Sequence, residues 1–137
     1  KEITIALEYT GQLPSGQQTM QVGEFVYGNI TSYTEDGFIE TFEPFSSNVL
    51  EFGTESFSIE FNYEGPVTEQ LIWRVYIDGY ESPALRRVFN QDISPSGTYY
   101  QTFGFGYTNI FVLSSGEYLI ELYIDNQLVR SGVLEVR

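Results

Sequence analysis

The chain has 137 residues, a formal net charge of -13 and a 17% aromatic content carried by eleven Tyr, eleven Phe and one Trp. That length builds a single domain whose core needs no staples, and scarce Ala beside abundant aromatic and branched residues favours strands over helices. With no Cys and no His, the sequence excludes disulfides, thiolate or histidine metal sites, and Ser-His-Asp or Cys-His nucleophiles.

The 19 acidic residues outnumber 6 basic ones and repel phosphate backbones and anionic lipid surfaces alike, so neither nucleic acid nor a membrane is an expected partner. No stretch approaches the roughly 18 consecutive apolar residues of a membrane helix. The chain begins at Lys1 without Met and carries no secretion signal. Removal of a signal peptide is the favoured explanation, and a start inside a longer precursor is the other. Acidity and hydroxyl-rich composition suit an extracellular or cell-surface protein.

Residues 1–10 alternate apolar and polar side chains, with Ile3, Ile5, Leu7 and Tyr9 on one face, and read as a half-buried strand. Residues 11–21 have no period, two Gly, Pro14 and four Gln, the composition of a flexible linker. A sticky strand on a tether either closes its own sheet or completes that of a neighbouring copy. An eleven-residue linker reaches at most about 36 Å, enough to cross to an adjacent subunit. Burying the four apolar side chains there is worth several kcal/mol at about 25 cal/mol per Å². Free sheet edges are usually blunted by Lys, Pro or bulges, and Lys is missing after position 1. The expected organisation is a donated strand at 1–10, a linker at 11–21 and a β-sandwich at 22–137.

Within that domain, turn signals every 8 to 14 residues predict strands at 22–33, 37–42, 48–52, 56–63, 71–78, 86–91, 98–105, 109–113, 117–125 and 128–136. Phe57, Ile59, Phe61 and Tyr63 form one inward row. Leu71, Trp73, Val75 and Ile77 form a second, and Tyr118, Ile120, Leu122 and Ile124 a third. Asp78-Gly79 and Asp125-Asn126-Gln127 are tight turns. Gly132 marks a bulge that sets Leu134 and Val136 inward. Residues 1–70 carry twelve carboxylates against Lys1, about -11, while 71–137 carry seven against five Arg, about -2. Solvated faces explain this asymmetry most simply; the sharper reading is a head-to-tail contact between unlike surfaces.

The run from Leu113-Ser114-Ser115-Gly116-Glu117-Tyr118 to Leu134-Glu135-Val136 resembles the closing hairpin of immunoglobulin-like sandwiches appended to bacterial surface and secreted proteins. In that family a Leu-x-x-Gly-x-Tyr run opens the penultimate strand. The resemblance covers residues 50–137 and implies that Tyr118 is a tyrosine-corner residue and Trp73 the core Trp of the third strand. Where that fold carries an inter-sheet cysteine pair, this chain has apolar residues such as Ile59 and Ile120. The resemblance implies an all-β, antiparallel immunoglobulin-like β-sandwich with an extra N-terminal strand, and implies no function.

Catalysis survives only through carboxylate pairs, Glu35-Asp36, Glu40/Glu43 and Glu117/Glu121. Each reads more simply as a solvated strand or turn, and the sole Lys gives Ser or Thr no base, so the sequence predicts no catalytic residues and no enzyme. No loop has the alternating Asp/Asn spacing of a calcium site, and no metal or cofactor is expected. Sugars stack on aromatic faces beside polar groups, which makes Tyr100 and Tyr107 in the segment 98–109 candidate glycan contacts. The simpler alternative sends Tyr99, Phe103 and Phe105 into the core and leaves Tyr100 and Thr102 on the surface. Asn29-Ile30-Thr31 is an N-glycosylation sequon. The expected role is a subunit of an extracellular surface filament or fibril, a head-to-tail homopolymer joined by donation of residues 1–10. A carbohydrate-binding or accessory module of a larger secreted protein is the alternative.

Overall fold

The computed structural model of the protein describes residues 21–65, 70–90, 96–104 and 112–137. The expected strand at 1–10 with Ile3, Ile5, Leu7 and Tyr9, nearly all of the linker, and Tyr107 lie outside the described residues. Among the described residues eleven strands run in chain order: β1 (Gln21–Val22), β2 (Val26–Tyr33), β3 (Ile39–Pro44), β4 (Val49–Leu50), β5 (Ser56–Glu64), β6 (Leu71–Ile77), β7 (Tyr80–Glu81), β8 (Arg87–Phe89), β9 (Ser96–Gly104), β10 (Gly116–Ile124) and β11 (Gln127–Val136). One 3-10 turn, Pro83–Leu85, interrupts them. The all-β sandwich expected from the sequence is what the strands form.

In the first sheet β5 is central, with β9 antiparallel on one side, β1 and β2 on the other, and β3 outside β2. In the second sheet β10 lies between β11 and β6, β7 and β8 flank β6, and β4 runs parallel to the end of β11. Period-2 alternation explains why the faces meet. Phe57, Ile59 and Phe61 of β5 face Leu71, Trp73 and Val75 of β6 and Tyr118, Ile120 and Leu122 of β10, all buried. The core is heavily aromatic. Trp73 meets Phe25, Phe61 and Phe103 at ring separations of 5.5, 5.9 and 5.4 Å, while its indole N–H is buried without a hydrogen-bond partner. The Tyr118 hydroxyl donates to Ser114 O at 2.7 Å, closing the corner before β10.

The turns carry their expected chemistry. Asp78 and Gly79 have φ of 50° and 88°, and Asp125 and Asn126 have φ of 50° and 69°, the left-handed pair that joins two strands without splaying them. Gln127 already belongs to β11 and pairs with Ile124. The bulge assigned to Gly132 is corrected: the β10–β11 register shifts between Leu122/Arg130 and Tyr123/Leu128, so the extra residue is Val129. Leu134 and Val136 do face inward. Gly132 pairs regularly with Ile120 and is needed for a different reason: a Cβ there would fall on the Tyr27 hydroxyl. The strand expected at 109–113 has no counterpart at residues 112–113, and its remainder lies outside the described residues.

Candidate functional site

The outer face of the first sheet gathers aromatic and polar groups around Tyr100. Alternation along β9 turns Tyr99, Gln101 and Phe103 toward the core, with Tyr99 stacked on Phe61 at 5.3 Å, and leaves Thr98, Tyr100 and Thr102 outside. Three cross-strand polar pairs then align with β5. Thr98 donates to Asn62 Oδ1 at 2.8 Å, the Tyr100 hydroxyl donates to Glu60 Oε2 at 2.7 Å, and the hydroxyls of Thr102 and Ser58 lie 2.7 Å apart. The Glu60 carboxylate, bonded to it, is the main reason the Tyr100 hydroxyl is pushed up to about 12. On the β2 side Gly28 leaves room for Phe42, whose ring crosses it and reaches the Tyr100 ring at 5.5 Å. This lid explains why Ser58, on an outer face, is buried.

Of the predicted site residues, Tyr100 sits on this face. Asn29 is exposed on β2 and pairs with Glu43 of β3. The carboxylate pairs do not converge across a cleft: Glu121 accepts from the Tyr123 hydroxyl at 2.9 Å, and among the described residues no cluster of three or more metal-ligating side chains occurs. Asp78 and Asp125 serve their turns by accepting the N–H groups of Glu117 and Gln70, each at 2.9 Å.

A second feature was not found from the sequence. Between β1 and β2 the residues 23–25 oppose only Phe61 and Asn62, and Gly23 N–H donates to Asn62 O at 2.8 Å. This bulge turns Phe25 into the core and opens a cleft of about 280 Å³ between the sheets, lined by Glu24, Phe25 and Tyr27 on one side and by Arg130, Gly132 and Val133 of β11 on the other. Arg130 crosses the seam and gives two hydrogen bonds to Val22 O, from Nε at 3.2 Å and Nη2 at 2.6 Å. Beside it Tyr27 is 6% exposed, and its hydroxyl has no partner. Burial holds that hydroxyl protonated, with its pKa raised to about 12. The signal in the sequence was Gly132, whose missing side chain admits the Tyr27 hydroxyl; no local pattern ties it to a residue 105 positions earlier.

No family model matches the chain, and no curated protein sequence matches it. Among solved structures it is similar to Pseudomonas fluorescens alkylpurine DNA glycosylase AlkC bound to DNA containing an abasic site analog, at 13% identity and a TM-score of 0.49 over 86% of this chain. The chain spans 30% of that protein's length. It is also similar to the CARDB domain of a Pyrococcus furiosus protein in complex with di-metal ions, at 14% identity and a TM-score of 0.47, over 96% of this chain and 98% of that one. Likenesses this distant carry nothing about ligands or chemistry. The expectation of no enzyme, drawn from the missing His and Cys, the solvated carboxylate pairs and the sole Lys, does not stand beside a similar chain that is a glycosylase. No activity is assigned in its place. Among the described residues no helix is long and apolar enough to cross a membrane.

Proposed function

We propose that the chain is a subunit of a filament or fibril outside the cell, held together by residues 1–10 of one copy adding a strand to the next. The observation that carries this reading is that the central lanes of both sheets are filled from within residues 21–137: β5 lies between β9 and β1–β2, and β10 lies between β6 and β11. A further alternating strand with an apolar face therefore has only sheet edges to join, and an edge of another copy is as good a template as its own. The net charge of -13 favours a partner met by backbone pairing and apolar contact over a polyanion. The test is size-exclusion chromatography and electron microscopy of the full chain beside one lacking residues 1–10. Oligomers or threads that disappear on truncation support the reading, and equal behaviour of the two chains overturns it.

The pairing of Phe42 with Tyr100 beside Glu60 favours a second reading, a carbohydrate-binding module that uses this face. Retention on insoluble polysaccharide that is lost in Tyr100→Ala supports it, and a chain that washes through sinks it.

A further inference from the structure

Among the described residues the edge of β3 is blunted by Glu40, Glu43 and Pro44, and the edges left to a new strand, on β9 and β11, differ in their backbone groups. On β5, Asn62 O accepts from Gly23 N–H, so even-numbered residues face β1–β2 and odd-numbered ones face β9. Their partners Tyr99, Gln101 and Phe103 therefore point inward across the ladder, and Thr98, Tyr100, Thr102 and Gly104 point out. Two of these outward carbonyls are taken: Gln101 Nε2 donates to Thr102 O at 3.0 Å, and Arg87 Nη2 donates to Gly104 O at 3.3 Å. On β11, Glu135 and Arg137 give their N–H groups to Asn48 O and Leu50 O at 2.8 and 2.9 Å, so the odd-numbered residues face outward there. The lane is filled by β4 only at Glu135 and Val136. At Ser131 and Val133 no described residue pairs with the edge, and this is where the cleft opens, with the buried, unpartnered Tyr27 hydroxyl in its wall.

We propose that the edge of β11 at Ser131 to Val133, together with the cleft behind it, is the acceptor lane for residues 1–10 of a second copy. The lane is bounded by Asn48 at one end and by the Arg130–Val22 bridge at the other, so about three of the ten residues pair with it, at roughly 3.3 Å each. The Tyr27 hydroxyl supplies a donor to the incoming backbone. The Arg130–Val22 bridge closes the direct route from Gln21 to Ser131 within one copy, and the donor is taken to be a second copy that the linker can reach. Twenty residues precede Gln21, including a linker long enough to reach a neighbour. This inference rests on the strand-donation reading and adds the place where the strand docks.

The absence of Cys allows a direct test in the full chain. The alternation that would turn Ile3, Ile5, Leu7 and Tyr9 inward would turn Ala6 outward, the way the exposed Val133 points, so these two positions serve as reporters. Chains carrying Ala6→Cys and Val133→Cys are mixed under mild oxidation, with Ala6→Cys and Thr98→Cys as the pair reporting on β9. Disulfide-linked dimers in the first mixture and not in the second are the expected result, and Tyr27→Phe should raise the concentration needed for assembly about tenfold without lowering the melting temperature. Cross-links at Thr98 alone would overturn the β11 lane while leaving strand donation standing. Placing Ala6→Cys and Val133→Cys on one chain and finding only intrachain cross-links would overturn both.

Discussion

The sandwich is stapled at its two seams by the same device, one arginine reaching from the second sheet to a backbone carbonyl of the first, yet the seams are finished differently. At the β8–β9 seam Arg87 donates to Ala84 O, Arg86 O and Gly104 O, and its guanidinium lies over the Phe103 ring at 6.0 Å. Phe103 stacks on Phe57 at 5.4 Å and is fully buried. At the β1–β11 seam Arg130 makes a comparable bridge to Val22 O, but the bulge beside it leaves a cleft and a tyrosine hydroxyl with no partner. A buried hydroxyl left unpaired costs on the order of 1–3 kcal/mol. The first seam is closed by aromatic packing, while the second keeps an unpaired hydroxyl beside an open cleft.

The largest effect should come from the filled seam. Phe103→Ala removes a buried ring that touches Phe57 and Trp73, and is expected to lower unfolding free energy by about 3–5 kcal/mol in denaturant titration. A cost below about 1 kcal/mol would show that this seam is no better packed than the other. In the open seam Gly132→Ala places a methyl group on the Tyr27 hydroxyl and should cost about 1–3 kcal/mol. Adding Tyr27→Phe should recover part of that loss, because the clashing atom is gone; no recovery would mean that the backbone of β11, not the hydroxyl, sets the requirement for glycine.

The smallest effect belongs to Tyr27→Phe alone. It removes an unpaired polar group and should leave stability at pH 7 unchanged or up to about 1 kcal/mol higher. It should also alter the alkaline limb. Desolvation raises the Tyr27 pKa in the folded protein to about 12 from an ordinary value near 10. Its contribution is therefore fully present below pH 10 and is lost as pH rises toward 12. Melting temperatures between pH 9 and 12 should fall less steeply in the variant. An identical slope would mean that Tyr27 ionises as it does in the unfolded chain.

Much of the sandwich was legible because period-2 alternation and turn chemistry are local. Phe57 to Tyr63, Leu71 to Val75 and Tyr118 to Ile124 announced their inward faces, and Asp78-Gly79 and Asp125-Asn126 announced their turns. Bulges were not legible, since one extra residue is visible only against the partner strand; thus Gly132 was credited with the shift that Val129 makes. The Tyr100 face was half visible. Tyr100 stood out in its segment, but Phe42 reaches it only across Gly28, a contact between residues 58 positions apart. The open seam was invisible for the same reason, being made of Tyr27 and Gly132 from opposite ends of the domain.

The end of β11 has a mechanical meaning. Its last residues are held on both sides, antiparallel by β10 from Gly116 and parallel by β4 at Val49 and Leu50, and Arg137 N–H is still bonded to Leu50 O. A pull applied along β11 loads these bonds together in shear instead of opening them one after another. Force entering the domain through its final strand is spread over two neighbours before any single bond has to give.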